Sequence, residues 1–511
     1  MNAQRGTIAA GHTKTAEAGI SALSAGGNAF DAAVAALCAA CVAEPVLASL
    51  GGGGFMLARP AGGTPVLYDF FTQTPKRKRN EADAELYPVE VDFGDATQEF
   101  HIGKGAIATP GVIAGLSAIH GDLCRMSLAD LVAPAARYAR EGVEVNDIQH
   151  RFATIIEPIL RASPEVYAVQ GSPDRPDRLA RPGEIVRHPD LADSLEAIAM
   201  EGGALLYDGP WGERLISDCA AGGGHLTPSD LRDYRVIRRR PLSRKYRGSR
   251  VYTNPPPALG GGLILFALGL LSQLELGALP PRGADHLNAL AKAMELTQRL
   301  RREAKDEARP TEDPLAMELT DIMHREARFP RGTTQISIAD QDGNLASLTL
   351  SNGEGCGYLL PGTGIVMNNM LGEEDINPHG FHCWPPDRRI SSMMSPTLLE
   401  RPDETWVVTG SSGSNRIRSA ILQVLVNLVD FGLPLELAVA NPRIHYEGDL
   451  LNLEPPVDAD TLKQLGGHWP RVQLWNAESV FYGGAHSVLY RPDGILFGAG
   501  DQRRGGVVMR V

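Results

Sequence analysis

An α+β fold is predicted for this 511-residue chain by three features of its sequence. Two alanine-rich helical patterns open it, and a glycine-rich turn then leads into a pair of strands. Beyond Gly332, short strand patterns and one apolar helix alternate with glycine turns. Helix and strand signals are mixed along the whole chain, so neither an all-α nor an all-β class fits. At this length the chain amounts to two or three domain equivalents or to one large layered domain.

The elements follow in order. Thr13 to Leu23 carries Ala and Ile at helical spacing until Gly26-Gly27 stops it, and Asn28 is placed to cap a second helix to about Val42. Gly51-Gly52-Gly53-Gly54 precedes a strand at Phe55-Met56-Leu57, whose hairpin partner is Val66-Leu67-Tyr68. No Lys-Ser/Thr and no clear helix follows the four glycines, so they read as close backbone packing rather than as a cradle for an anion. Residues 125 to 235 are mainly helical, with a clear helix start at Thr227-Pro228-Ser229-Asp230. After Pro255-Pro256-Pro257 and Gly260-Gly261-Gly262 come an apolar helix, about Leu263 to Leu274, and another from His286 to about Asp306. The dense charge between Arg299 and Asp313 reads as a solvated face and linker. Ile336 and Ile338, then Leu345, Leu348 and Leu350, form two strands about the Asp340-Gln341-Asp342-Gly343-Asn344 turn. Thr333 and Thr334 therefore stand at the start of a strand, directly after that charged connector. Residues 417 to 430 form an apolar helix, and short strands run from Val472 onward.

Formal charge is -12, and the longest basic run is Lys76-Arg77-Lys78-Arg79, which argues against nucleic acid and anionic membranes as partners. The longest apolar stretches, Ala32 to Ala43 and Leu263 to Leu271, fall short of the roughly 20 residues that a membrane span needs. The N-terminus lacks the pattern of a secretory signal and the six cysteines give no disulfide framework, so a cytoplasmic protein is expected. Cys38-Ala39-Ala40-Cys41 lies within a helix, where helix packing is expected instead of redox chemistry. His379-x-x-His382-Cys383 has ligand types for a metal but no fourth ligand nearby, so a loop is expected there. Ser411-Ser412-Gly413-Ser414 follows a strand without forming G-x-S-x-G, although backbone N–H groups in such a turn suit an oxyanion. Residue types alone do not name the reaction.

A set of spaced motifs goes further. Asn28 to Leu57, with Gly-Gly-Asn-Ala-Phe-Asp-Ala-Ala-Val-Ala-Ala and Gly-Gly-Gly-Gly-Phe-Met-Leu, resembles the N-terminal signature of the γ-glutamyltranspeptidase family. Thr109-Pro110-Gly111, Pro255-Pro256-Pro257, Thr333-Thr334-Gln335, Asp342-Gly343-Asn344, Ser391-Ser392-Met393 and Thr409-Gly410-Ser411 with Gly413 match the same family in the same order. The resemblance implies a four-layer αββα N-terminal-nucleophile hydrolase that cuts itself between Gly332 and Thr333. The products would be a large subunit, 1–332, and a small subunit, 333–511, held together as a heterodimer, with further pairing left open. Thr333 would attack the preceding carbonyl, be freed by hydrolysis, and then use its own α-amine as base, whose ordinary pKa of about 7.7–8.0 suits the task. By the same resemblance Ser351 takes the place of a second hydroxyl residue, and Gly413-Ser414 that of a Gly-Gly oxyanion pair. Ser391 and Ser392 match serines that grip a carboxylate, and Arg79, with Arg77 in reserve, is the expected arginine beside them. No metal or organic cofactor is implied.

The chain departs from the family where the substrate's amino group is held. Gly353 replaces an Asn, Met370 a Gln and Glu373 an Asp, so Glu373 or Glu374 is left to pair an ammonium. The serine in the Gly413-Ser414 pair is tolerable unless that position needs a positive φ. The expected activity is hydrolysis or transfer of γ-glutamyl amides, including glutathione-like peptides. Two alternatives stay open: an acylase for dicarboxylic acyl groups lacking the α-amine, and an uncut, non-catalytic member.

Overall fold

The computed structural model describes residues 4–92, 97–303, 332–373, 377 and 380–511. The part of the charged connector after Glu303, together with Glu374 and His379, lies outside them.

Two sheets form the centre. The seven-stranded sheet runs in the order Val507–Arg510, Gly6–Ala10, Thr334–Asp340, Leu345–Ser351, Gly53–Arg59, Val66–Phe70, Ile237–Arg239. The six-stranded sheet runs Leu496–Ala499, Ser487–Tyr490, Trp406–Thr409, Thr397–Glu400, Ser249–Thr253, Leu242–Tyr246. Strands from both sides of Gly332 therefore interleave in the first sheet, and in the second they meet along one seam, between Thr397–Glu400 and Ser249–Thr253. The helices Thr13–Ser24 and Ala29–Ala43 cover the outer face of the first sheet, and Gly260–Leu271 lies on the outer face of the second. Arg416–Val429 packs on Gly260–Leu271, and strand faces meet between the two sheets. The result is an α+β fold in four layers.

Local chemistry explains the elements that place Thr333. Asn28 caps the second helix: its Oδ1 accepts from the N–H groups of Phe30 and Asp31 at 2.8 and 2.9 Å, and Asp31 Oδ2 accepts from the Asn28 N–H at 2.8 Å. Every residue of that helix is buried, which alanine permits by letting neighbours approach. Cys38 and Cys41 belong to this packing, and burial pushes the Cys38 thiol up to about 12. The Asp340–Asn344 turn is tied by Asp340, whose carboxylate accepts from the N–H groups of Asp342, Asn344 and Ala29 at 3.0, 2.9 and 2.9 Å. That turn fixes a register in which Thr334 faces Leu350. The neighbouring pair Ser351–Gly53 brings the glycine run alongside. A Cβ on Gly52 would fall 2.4 Å from the Ser351 carbonyl oxygen, so the run serves close backbone packing.

Five buried histidines, His12, His225, His286, His445 and His486, are each pushed down to about 4, because burial disfavours the imidazolium. The unfolded chain protonates them near about 6.5, so between these values it binds more protons than the folded chain. Their contribution to stability is fully present above about pH 6.5 and is lost as the pH falls toward about 4. The thermal midpoint is expected to drop across that interval when followed by circular dichroism at fixed ionic strength. A midpoint that stays level would contradict this.

Candidate active site

Thr333 sits at the mouth of the hairpin, just before the strand Thr334–Asp340, and is 4% exposed. The peptide in front of it is held at both ends of Gly332. Ser351, the last residue of the partner strand, donates its hydroxyl to the Gly332 carbonyl oxygen at 2.6 Å. The Ser351 oxygen in turn accepts from the Gly353 N–H at 3.1 Å, which fixes its rotor so that the proton points at Gly332. Glu354 Oε1 accepts from the Gly332 N–H at 3.2 Å, while the Glu354 N–H donates to Asn369 Oδ1 at 3.0 Å. Only glycine fits at 332: a Cβ there would fall 2.2 Å from the Gly353 oxygen and 2.7 Å from that of Val46. A carbonyl polarised by a positioned hydroxyl, beside a threonine, is the arrangement that acyl transfer requires.

A small cavity of about 40 Å³ brings Thr333 and Ser351 together with Glu373, Ser392 and Ser414. Its remaining walls are Phe71, Met370, Met393, Met394 and Ile417, so the site is mostly apolar around one carboxylate. Ser392 accepts from the Met394 N–H through its hydroxyl at 3.1 Å and from the Leu259 N–H through its carbonyl at 2.8 Å. Ser391 is half-buried and lies outside the cavity wall. Gly353 has φ 62°, and a Cβ there would fall 2.0 Å from Asn369 Oδ1 and 2.1 Å from Glu373 Oε1. The space that a side chain at 353 would need is thus filled by Asn369 and Glu373.

Gly413 and Ser414 form the turn between the strand Trp406–Thr409 and the helix Arg416–Val429, with φ of 112° and 52°. The second position does take a left-handed conformation, so serine here carries strain that glycine would not. Ser414→Gly is expected to raise stability by about 1 kcal/mol, read from the urea midpoint, with turnover retained. A lowered midpoint would show that the serine side chain contributes more than its backbone costs. The turn is anchored from below. Asn415 Nδ2 donates to Glu447 Oε1 at 2.9 Å, and Glu447 Oε2 meets His445 Nε2 at 3.1 Å. Burial opposes ionisation of Glu447, but the His445 hydrogen bond and the charges of Arg418 and Arg416 outweigh it and hold the carboxyl at about 2. Ser419 Oγ lies 2.6 Å from His445 Nδ1, so Ser419, His445 and Glu447 line up like a hydrolase triad. All three are buried and none lines the Thr333 cavity, so they serve to hold the turn.

Arg79 is placed elsewhere. Its Nε donates to the Gly224 carbonyl at 2.7 Å and its Nη2 to that of Ala220 at 2.7 Å, closing the end of the helix Pro210–Ala221. Arg77 is exposed, and neither arginine lines the cavity. The nearby Arg389 donates to the Phe71 carbonyl, to the Tyr234 hydroxyl at 2.5 Å and to the Arg235 carbonyl at 2.6 Å. Among the described residues no group of three His, Cys, Asp or Glu side chains is placed to hold a metal ion, and no helix is long and apolar enough to cross a membrane. Glu354 and Asn415 went unnoticed in the sequence. An isolated Glu or Asn beside a glycine loop carries no periodic signal, and only the distance to Gly332 or to the Gly413-Ser414 turn singles them out.

Known proteins share this architecture. The sequence profile described as Gamma-glutamyltranspeptidase matches residues 15–511. The glutathione hydrolase proenzyme of Escherichia coli (strain K12) is 30% identical over 545 residues, covering 98% of this chain and 91% of that one. The Acylase ACY 1 proenzyme of Pseudomonas sp. (strain V22) is 30% identical over 544 residues, covering 99% and 94%. The crystal structure of cephalosporin acylase from Bacillus halodurans superposes with a TM-score of 0.84 at 26% identity, covering 99% of this chain and 96% of that one. The Helicobacter pylori γ-glutamyltranspeptidase structure superposes with a TM-score of 0.51 at 26% identity, covering 62% and 91%. With the match running through nearly the whole chain, from the first helix to the last strand, this protein belongs to the γ-glutamyltranspeptidase family.

Proposed function

We propose that the chain is made as a precursor which cuts its own Gly332–Thr333 bond and then hydrolyses γ-glutamyl amides through Thr333. The observation that carries this reading is the Ser351 hydroxyl, 2.6 Å from the Gly332 carbonyl oxygen. In the first step Thr333 Oγ bonds to the Gly332 carbonyl carbon, and the C–N bond breaks. The nitrogen keeps its electron pair and takes up the proton that Oγ gives away. The Ser351 hydroxyl stabilises the negative charge on the carbonyl oxygen as it develops. Water then hydrolyses the ester, leaving a carboxylate on Gly332 and a free amine and hydroxyl on Thr333. That amine is the base for the second cycle, in which Oγ attacks the substrate amide and an amine leaves. Water resolves the acyl-enzyme.

Glu373 supplies the charge for an acyl group bearing an ammonium, and the N–H groups of Gly413 and Ser414 supply an oxyanion hole. Hydrolysis is favoured over transfer because the residues on the amino-binding side are altered at 353 and 370. Residues 1–332 and 333–511 would stay together as a heterodimer because both contribute strands to each sheet, interleaved in the first and joined at one seam in the second. A cytoplasmic location belongs to the same proposal, supported by six cysteines that all stand unpaired.

A second reading, an acylase for glutaryl-type groups without the α-amine, is favoured by the Met370 wall and by the acylase relative. The two are separated by comparing γ-glutamyl-p-nitroanilide with glutaryl-p-nitroanilide. The γ-glutamyl compound is expected to release p-nitroaniline at the higher kcat/KM, with Glu373→Gln abolishing the difference. Faster turnover of the glutaryl compound would overturn the choice.

A further inference from the structure

Glu44 takes no part in the chemistry proposed above, yet it is one hydrogen bond away from the residue that follows Thr333. It ends the helix Ala29–Ala43 and is rigidly held there. Its N–H donates to the Ala40 carbonyl at 2.8 Å, and its own carbonyl accepts from the N–H groups of Leu47 and Ala48 at 2.8 and 2.9 Å. Its side chain is wholly buried. Oε1 accepts from the Thr15 hydroxyl at 2.7 Å, and Oε2 accepts from the Thr334 hydroxyl at 2.7 Å. Burial raises the Glu44 pKa, and these two donors oppose the rise. Gly11 leaves the room for this contact, since a Cβ there would fall 2.9 Å from Glu44 Oε2 and 3.4 Å from Thr334 Oγ1.

The strand end needs such support. On one side Thr334 is laddered to Leu350. On the other side the ladder to Gly6–Ala10 closes at the Ala9–Ser337 pair, three residues short of Thr334. Glu44 meets Thr334 at that stretch, through a side chain rather than a backbone.

We infer that Glu44 is a positioning residue: it fixes Thr334, and through one peptide bond it sets the direction in which Thr333 presents its hydroxyl and, once freed, its amine. The inference rests on Thr333 as the nucleophile. After cutting, Thr333 would be a chain terminus, and the hydrogen bond from Thr334 to Glu44 would tie that terminus to the large fragment. A small misplacement of a nucleophile costs rate without costing binding.

The test is a set of full-length variants followed for self-cleavage by gel and for turnover of γ-glutamyl-p-nitroanilide. Thr334→Val keeps the shape and removes the donor; it is expected to slow self-cleavage and lower kcat by about tenfold or more, with KM within about twofold. Thr334→Ser restores the hydroxyl and is expected to restore both rates. Thr15→Val removes the other donor to Glu44 and is expected to lower the thermal midpoint while leaving both rates within about threefold. If Thr334→Val gives no soluble protein, the same slowing is expected of Gly11→Ala, which keeps every hydrogen-bonding group and displaces the carboxylate. Wild-type rates in Thr334→Val, or in Gly11→Ala when it stands in, would overturn the inference. So would equal slowing in Thr15→Val, because Glu44 would then act through general stability. Continued cutting in Thr333→Ala is a different failure: it would remove the nucleophile itself and leave the Glu44 hydrogen bonds without that role.

Discussion

Replacing Thr333 with alanine is expected to leave a single uncut 54.8-kDa chain and to lower amide turnover by about 10⁴-fold or more. The loss is this large because one oxygen serves twice, first on the Gly332 carbonyl and then on the substrate. Without the first attack the second never gains its base, since the α-amine of residue 333 stays inside a peptide bond. Intact mass spectrometry of wild type and variant side by side is the measurement. Two fragments in the wild type with an uncut variant would fit the proposal, whereas a wild type that stays whole would remove the free amine on which the mechanism depends. The protein would then have to be regarded as a binding scaffold with the family's fold.

Ser351→Ala is expected to produce the next largest effect, slowing self-cleavage by about 10²–10³-fold, the usual loss for removing a donor to a developing oxyanion. The hydroxyl bonds the Gly332 carbonyl already in the ground state at 2.6 Å, and the bond strengthens as charge moves onto that oxygen. Ser351→Thr keeps the donor and is expected to cut at a rate within about tenfold of wild type. A time course of precursor loss on gels separates the cases. Equal rates in Ser351→Ala and wild type would mean that the proton on Ser351 has no part in the cut.

Much of this was legible in the sequence, and for physical reasons. The helices announced themselves through caps and periodicity: Asn28 is where a cap was expected, and the helix it starts runs Ala29–Ala43. The hairpin that carries Thr333 was equally plain, since an Asp-Gly turn between two apolar strands has few other solutions. The site was legible only through the resemblance, because a threonine at a strand start looks the same whether or not it reacts. Arg79 shows the limit. A run of four basic residues says that cations are present but not which carbonyls they reach, and the structure sends Arg79 to Gly224 and Ala220. Ser414 shows another. Its left-handed backbone follows from the turn between a strand and a helix, and no residue type at 414 reports it in advance. Glu44 was hidden for the opposite reason, since a glutamate at a helix end ordinarily faces water, while here two threonines accompany it inside.

The interleaving of strands from both sides of Gly332 bears on the protein's later life. In the seven-stranded sheet Thr334–Asp340 lies between Gly6–Ala10 and Leu345–Ser351, so the two stretches of chain complete each other's hydrogen-bond ladders. While the chain is whole, unfolding and refolding are events within one molecule. Once cut, complete unfolding is also dissociation, and the return depends on how often two separate polypeptides meet. Such a protein would fold once as a single piece and afterwards persist by unfolding slowly. Dilution would then decide how much activity returns after denaturation.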